Sequence, residues 1–159
     1  MRVGNLGYVN LQRYDDLEID DVPFFFGMAF RMIEDIDLVA YSLAKATGKT
    51  TIDAEIVGQA LNLIQAGSPG VAPREGAITF DEAPVQAFVN LGMARDVVRG
   101  PLAHDDQALG VLAKYVNFQL NNMLIAAARL AQRDDLVRIK LRHYLPYCEE
   151  WPYPLNRYC

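Results

Sequence analysis

Two long stretches of this chain place apolar residues at helical spacing, and they constrain the fold more than any other feature. The later stretch follows Asp105 and Asp106, either of which can cap a helix by accepting from its free amides. Its apolar residues recur at intervals of three and four positions: Leu109, Leu112, Tyr115, Val116, Leu120, Met123, Leu124, Ala127 and Leu130. We therefore predict a long helix over about 107–133 that buries one broad stripe.

The earlier stretch follows the pair Asp20-Asp21, and Pro23 fits the first turn of a helix because its missing N–H is not needed there. Apolar residues are then nearly continuous, and acids are concentrated in one short segment. Gly48 ends the pattern, since glycine readily adopts the left-handed conformation that follows many helices. The sequence predicts a helix over about 22–47 whose early half is buried on most sides.

Three shorter helices complete the prediction. Acidic residues cap helix starts by accepting from free amides, whereas glycine and proline end helices. The short helices are expected over about 53–66, 81–98 and 135–145, bounded by Asp53 and Gly67, by Asp81 and Gly100, and by Asp134 or Asp135 and Pro146. The chain is therefore predicted to be all-α, with about five helices.

The remaining segments are expected to be irregular. Glycine and proline interrupt 67–80, which we interpret as a loop that joins two halves, and the tail 146–159 is rich in proline and aromatic residues. No strand is expected beyond a few residues at 77–80, because no longer stretch alternates apolar and polar side chains. The chain, 1–159, is predicted to be one helical domain, since this length suits a single core.

Composition excludes several classes of protein. Apolar residues make up 52% of the chain and charged residues 22%, which suits a packed core and not a disordered chain. Cys148 and Cys159 cannot form the disulfide framework of a secreted domain, and no apolar run resembles a signal peptide or a membrane span. A net charge of −5 opposes binding to nucleic acid, whose phosphates attract clustered cations. We therefore expect a cytoplasmic protein that does not enter membranes.

The order and length of the predicted helices suggest a family. Gly48-Lys49-Thr50-Thr51-Ile52, with Val57 and Ala60-Leu61 after it, is similar to the loop and last helix of a histone motif. A long helix and a short one, followed beyond the central loop by short, long and short helices, resemble two histone folds in one chain. The bacterial single-chain histone-fold proteins have about this total length. The resemblance implies a pseudo-dimer in which the two long helices cross face to face.

Paired acids provide an enzymatic alternative. Asp15 and Glu18 lie three residues apart, as do Glu34 and Asp37 on one helix face, so each pair could direct two oxygens at one magnesium ion. This arrangement resembles that of the all-α nucleotide pyrophosphohydrolases, which carry paired acidic motifs on adjacent helices. Capping charges and a solvated helix face explain the same residues without a metal.

Bases and aromatic residues near the end of the chain provide candidate surfaces for partners. The bases are Arg129, Arg133, Arg138, Lys140 and Arg142, and the aromatic residues are Tyr147, Trp151 and Tyr153. The first 60 residues hold ten acids against five bases, so we interpret the basic cluster as the complement of that acidic half within an oligomer. Weak nucleic-acid binding is an alternative. The aromatic tail either anchors an interface or closes the core of its own chain.

No complete catalytic site is evident in the sequence. His104 and His143 lack a second histidine or a cysteine at the spacing of zinc ligands, and the chain carries no cofactor motif. The chemistry-bearing residues thus remain scattered, whereas the apolar pattern is extensive. We therefore expect a non-enzymatic helical interaction module that binds a protein partner or itself, as a homo-oligomer.

Overall fold

The computed structural model describes residues 18–66, 79–81 and 87–149, and it confirms the all-α fold. The elements, in chain order, are β1 (Glu18–Ile19), α1 (Val22–Ala46), α2 (Ala54–Ala66), α3 (Leu91–Val97), α4 (Asp106–Arg133), β2 (Arg138–Ile139) and α5 (Leu141–Glu149). Most of the expected loop 67–80 and the tail beyond Glu149 lie outside the described residues. Within the described ranges, no helix combines the length and the apolar character needed to cross a membrane.

The two long helices that the apolar spacing predicts are both present, as α1 and α4. Asp21 caps α1 by accepting a hydrogen bond from the N–H of Phe24, and Asp105 caps α4 by accepting one from the N–H of Ala108. α1 packs against α2, α3 and α4, while α4 also contacts α2, α3, β2 and α5. The buried apolar residues of these elements form one continuous cluster.

The third helix is shorter than predicted, and its expected start at Asp81 is wrong for the described residues 87–90. α3 begins at Leu91, after the side chain of Asn90 accepts from the N–H of Met93. Just before it, the Asn117 side chain binds both the N–H and the carbonyl of buried Val89, at 2.9 and 2.8 Å. A contact from a residue 28 positions away thus takes the backbone groups that a helix would use.

The fifth helix also starts later than predicted, so the expected cap at Asp134 or Asp135 is wrong. A turn and β2 occupy the intervening residues, and β2 pairs in parallel with β1, with Ile139 opposite Ile19. The sequence predicts no strand at either place, because two residues are too few to show alternation. Pairing with a distant segment therefore decides the conformation of this part of the chain.

The predicted helix end before Pro146 is wrong as well. α5 continues to Glu149 with Pro146 inside it. Proline removes one helical hydrogen bond, which would run to the carbonyl of Arg142. The fully buried side chain of Tyr144 packs α5 against the core, and this packing offsets the missing bond.

The chain repeats one construction at the ends of its long helices. Six residues beyond the end of α1, Ile52 pairs in parallel with His104, which precedes α4. Six residues beyond the end of α4, Ile139 pairs in parallel with Ile19, which precedes α1. A shift of 87 residues carries the end of α1, at 46, to the end of α4, at 133, and carries Ile52 to Ile139. The same shift carries Ile19 to position 106, two residues from His104, so exchanging the halves maps each bridge onto the other to within two residues.

The connections after the two long helices share their backbone geometry. The second residue after each helix is left-handed, Gly48 with φ 72° and Asp135 with φ 54°. The N–H of the next residue, Lys49 or Leu136, bonds to the carbonyl five residues earlier, at 2.9 and 3.0 Å. Both helices therefore end in the same hydrogen-bonded turn, with glycine in one half and aspartate in the other.

The same shift relates the buried faces of the two long helices. Eight buried residues of α1 have counterparts in α4 that are also buried. The pairs are Phe25 and Leu112, Met28 and Tyr115, Ala29 and Val116, Ile33 and Leu120, Ile36 and Met123, Asp37 and Leu124, Ala40 and Ala127, and Ala44 and Ala131. The match extends from the first turn of α1 to its last, so the repeat involves the core as well as the connections. One pair stands out, because Asp37 has a carboxyl group where its counterpart Leu124 is apolar.

Candidate functional site

Asp37 and His104 form a buried ionisable pair between α1 and the segment before α4. Their side chains are only 9% and 1% exposed, and His104 Nε2 lies 3.3 Å from Asp37 Oδ1. The pair is within ionic contact but is not aligned as a hydrogen bond. The other carboxylate oxygen, Oδ2, accepts a hydrogen bond of 3.0 Å from the N–H of Gly100. Asp37 therefore joins α1 to two points of the chain between α3 and α4.

Burial decides the protonation of His104. Removal from water lowers the pKa of the imidazole below its usual value of 6.5, and the charges of Asp37 and Asp105 oppose the shift. Neither ring nitrogen makes a hydrogen bond with any residue that the structure describes. The net lowering favours a neutral imidazole in the folded protein at neutral pH.

Gly100 can approach Asp37 because it has no side chain. A Cβ at this position would lie 3.1 Å from Oδ2 and 3.3 Å from Oδ1 of Asp37, which is closer than most such contacts in proteins. The sequence identifies Gly100 as a helix end, and the structure adds this second reason for glycine. The backbone amide and the carboxylate thus fit together only with glycine or with a shift of the chain.

A cavity of about 440 Å³ lies beside this cluster, between α1 and the segment 97–101. It is lined by three acids, four side chains with apolar surface, one base and one glycine: Glu34, Asp35 and Asp37; Leu38, Tyr41, Val97 and Pro101; Arg99; and Gly100. Carboxylates therefore outnumber bases on the wall. Leu38 is 66% exposed at this place, so the apolar part of the wall reaches solvent.

The residues of the magnesium hypothesis are placed as follows. Asp15 lies outside the described residues. Glu18 is in β1, where its carboxylate is 2.8 Å from Arg138. Glu34 is about 18 Å along α1 from the helix start that follows β1. Asp37 is one turn further, and both acids line the cavity. Among residues 18–66, 79–81 and 87–149, no three His, Cys, Asp or Glu side chains are grouped to hold a metal ion.

Arg138 of the basic cluster is paired inside its own chain. Its guanidinium lies 2.8 Å from Glu18 and 2.6 Å from Asp20. The hydrogen bond with Arg138 lowers the pKa of Asp20, and the same bond raises the pKa of Arg138. The acidic start and the basic end of the described chain therefore meet across β1 and β2. From the sequence we expect the acidic and basic halves to meet in an oligomer. The ion pairs of Arg138 with Glu18 and Asp20, however, form within one chain.

A second local network involves Arg142 and Asp134, which lie 3.0 Å apart. The buried side chain of His143 is also 3.0 Å from Asp134 through Nε2, while its Nδ1 accepts from the N–H of Lys140 at 2.9 Å. This arrangement assigns the ring proton to Nε2. The hydrogen bond with His143 is the main reason that the pKa of Asp134 is lowered. His143 thus links the start of α5 to Asp134 at the end of α4 and to the backbone of Lys140.

The other predicted partner residues differ in exposure and in their contacts. Arg133 and Lys140 are exposed, whereas Arg129 is half-buried, with an Nε that has no acceptor among the described residues. Tyr147 is half-buried and its hydroxyl donates to Gln119 Oε1, so it contributes to closing α5 onto α4. Trp151 and Tyr153 lie outside the described residues.

Sequence reasoning identifies the members of the Asp37 cluster separately and does not join them. It assigns His104 to a connector and Gly100 to a helix end, 63 residues from Asp37. One signal is present, because Asp37 lies four residues after Ile33 and three before Ala40, on the buried stripe of α1. An acid on such a stripe indicates a polar partner inside the fold.

Searches against protein-family models and against curated proteins found no match for this chain.

Proposed function

We propose that this protein is a non-enzymatic helical interaction module, built as a histone-fold-like pseudo-dimer, that binds a protein partner or a second copy of itself. The observation that carries the proposal is the repeated pairing at the helix ends, Ile52 with His104 and Ile139 with Ile19. Two halves that exchange their end segments in this way are what a pseudo-dimer requires. The long α1 and α4 and their matching buried faces support the same proposal.

Exposed apolar side chains support a role in binding. Val137 is 64% exposed next to β2, and exposed Leu141 follows four residues later at the start of α5. The bases Arg138 and Lys140 lie between them in the sequence and are also exposed. Exposed apolar side chains with charged residues near them in the sequence have the composition of a protein interface with a polar rim.

Mass in solution tests the proposal. The purified full chain is run by size exclusion with light scattering over a range of concentrations, alone and with a partner captured from the source cell and then purified. We expect masses above the 17.8 kDa of one chain, for the chain alone or for a reconstituted complex. Val137→Asp should weaken that association, whereas Leu63→Asp, at a 53% exposed position on α2, serves as the matched control. A constant mass of 17.8 kDa together with no reconstituted complex would contradict the proposal.

A further inference from the structure

Two bridges join the halves of this chain, the first between Ile52 and His104 and the second between Ile139 and Ile19. We propose that the first bridge is an acid-sensitive joint, which opens locally when His104 takes up a proton while the second bridge stays closed. The proposal goes beyond the interaction module and does not rest on it, because it concerns contacts within one chain.

The fold does not accommodate a protonated imidazole at His104. The side chain is 1% exposed, and neither ring nitrogen makes a hydrogen bond with a residue that the structure describes. Asp37 Oδ1 lies 3.3 Å from Nε2 but is not aligned to accept from it. Protonation would add a charge and give the ring two N–H donors in a place without an aligned acceptor among the described residues. Such a buried charge is costly, so the proton favours a conformation in which the ring meets water.

The charged groups around the ring do not offset this cost. Among the described residues, Asp37 from α1 and Asp105 from the segment of His104 itself act on the imidazole. Both favour the protonated form, yet the loss of hydration outweighs them and lowers the pKa of His104. Each of these carboxylates already accepts a hydrogen bond from a backbone N–H, of Gly100 and of Ala108 respectively. Charged residues of neighbouring segments pair with one another: Lys49 with Asp53 and Glu55, and Arg95 with Asp106.

A local movement is enough to bring the ring to water. The side chain of His104 is buried, but its backbone is partly exposed and lies between the exposed residues Ala103 and Asp105. The imidazole is therefore covered on one side by a surface segment and not by the centre of the core. Displacement of this short segment would expose the ring while the helices stay packed.

Movement of this segment acts directly on the first bridge. The N–H of Ile52 donates to the carbonyl of Ala103 at 2.9 Å, and the N–H of Asp105 donates to the carbonyl of Ile52 at 3.0 Å. These two hydrogen bonds lie on either side of His104 in the chain. A shift that carries the ring outwards therefore breaks both of them and also disturbs the cap that Asp105 provides for α4.

The equivalent positions of the second bridge are apolar. Ile19, which is 3% exposed, takes the place of His104 opposite the buried isoleucine Ile139. The shift of 87 residues places the fully buried Leu124 at the position of Asp37. The repeated construction thus forms with apolar side chains at both positions. The ionisable pair of the first bridge is a departure from it that adds sensitivity to acid.

His143 lies near the second bridge, but its bonding differs from that of His104. Its Nε2 is 3.0 Å from Asp134, and its Nδ1 accepts from the N–H of Lys140 at 2.9 Å. The neutral ring is therefore satisfied at both nitrogens, and Asp134 remains its partner after protonation. The bond that protonation would remove belongs to Lys140, whereas the N–H groups of Glu18 and Asp20 donate to the second bridge. The second bridge should therefore respond less to acid.

Hydrogen exchange of the ¹⁵N-labelled full chain at pH 7.5 and 5.5 tests the proposal. Rates divided by the intrinsic rates at each pH report how often each amide opens. Because the open form titrates near pH 6.5 and the closed form resists the proton, opening at Ile52 and Asp105 should rise by about three- to tenfold on acidification. The amides of Glu18 and Asp20 should change less. A rise below about threefold at the first bridge, or an equal rise at both bridges, would overturn the proposal.

The ring itself is followed by long-range ¹H–¹⁵N correlations in the same sample. We expect the imidazole of His104 to titrate below pH 6.5, because the closed form disfavours its charge. Titration at or above pH 6.5 would overturn the proposal, since acid would then hold the first bridge closed.

A double variant that copies the apolar residues of the other half should remove the response. In Asp37→Leu with His104→Ile, opening at Ile52 and Asp105 should no longer depend on pH between 7.5 and 5.5. Asp106→Asn alters an exposed acid at the start of α4 and serves as control, in which the full response should persist. A response that persists in the double variant would overturn the proposal. Where that variant fails to fold, the exchange and ring titration of the native chain decide.

Discussion

Ile52 and Ile139 occupy equivalent places in the two halves of this protein. Each lies six residues beyond the end of a long helix, each is fully buried, and each pairs in parallel with the segment that precedes the other long helix. The two isoleucines thus hold the halves together at opposite ends of the α1–α4 pair.

Replacement of either isoleucine by alanine should cost similar stability. Both Ile52→Ala and Ile139→Ala create a cavity in the core, and we expect each to lower the free energy of unfolding by about 2–5 kcal/mol. Leu63→Ala, at an exposed position, should change it by less than about 0.5 kcal/mol. Urea unfolding followed by circular dichroism measures all three. A large loss at one isoleucine and none at the other would contradict the equivalence of the two bridges.

Gly100→Ala tests the close approach to Asp37. The new Cβ would lie 3.1 Å from Oδ2, so we expect the variant to be destabilised by about 1–3 kcal/mol through strain. The cost should shrink in the double variant with Asp37→Ala, since the crowded atoms are then gone. Thermal unfolding gives the comparison.

Gly58→Ala is the matched control for Gly100→Ala. Gly58 lies inside α2, and a methyl group added there would meet nothing within 4 Å apart from its chain neighbours and the backbone of its own helix, so alanine should raise the stability by up to about 1 kcal/mol. Equal effects of the two substitutions would show that the Asp37 contact does not matter.

The neutral state of His104 predicts a dependence of stability on pH. Burial lowers the pKa of His104 in the folded protein, while the unfolded chain titrates near 6.5. As the pH falls below 6.5, the unfolded state therefore takes up a proton that the folded state resists, and stability decreases towards the lower folded pKa. Above that window the contribution of His104 is fully present.

Urea unfolding of the native chain and of His104→Gln at pH 7.5 and 5.5 measures this effect. Stability of the native chain should fall more steeply with acid than that of the variant, because glutamine does not titrate. Asp20, Asp53 and Asp134, whose pKa values are lowered from 3.8, lose their contribution only at more acidic pH and do not interfere. Identical slopes in the two chains would show that His104 does not titrate as proposed.

Arg138→Glu should loosen the pairing of β1 with β2, because it places an acid opposite Glu18 and Asp20. The N–H groups of those two residues bond to carbonyls of Val137 and Ile139, at 2.7 and 2.8 Å. We expect their hydrogen exchange to accelerate in the variant while amides of α2 keep their rates. Arg133→Glu reverses an exposed charge in the same part of the chain and serves as control. Unchanged exchange at Glu18 and Asp20 would rule out a role for the ion pairs.

Local periodicity is sufficient to predict the long helices. The caps Asp21 and Asp105 and the buried stripes act within a few residues, so the sequence displays them directly. The start of α3 depends on Asn117, which lies 28 residues from Val89, and local pattern cannot show that contact. β1 and β2 pair across some 120 positions, and the left-handed Asp135 stands where only a glycine would have signalled the turn.

The candidate site is predictable only in part. The sequence distinguishes Glu34 and Asp37 as acids on α1, and their spacing indicates a metal pair. The structure directs Asp37 instead to Gly100 and His104, which the chain brings from 63 and 67 residues away. Such distances exceed any local motif, so the acid on the buried stripe is the sole hint that the sequence offers.

The pairing of the two halves is tested most directly by nuclear Overhauser contacts in the native chain. We expect contacts that link Ile52 to Ala103 and His104, and a matching set that links Ile139 to Ile19, with slowly exchanging amides at Ile52 and Asp105. Both sets should disappear together on unfolding. Assigned spectra in which the amide of Ile52 shows no contact with residues 103–105, or Ile139 none with residues 18–20, would contradict the two-halved construction.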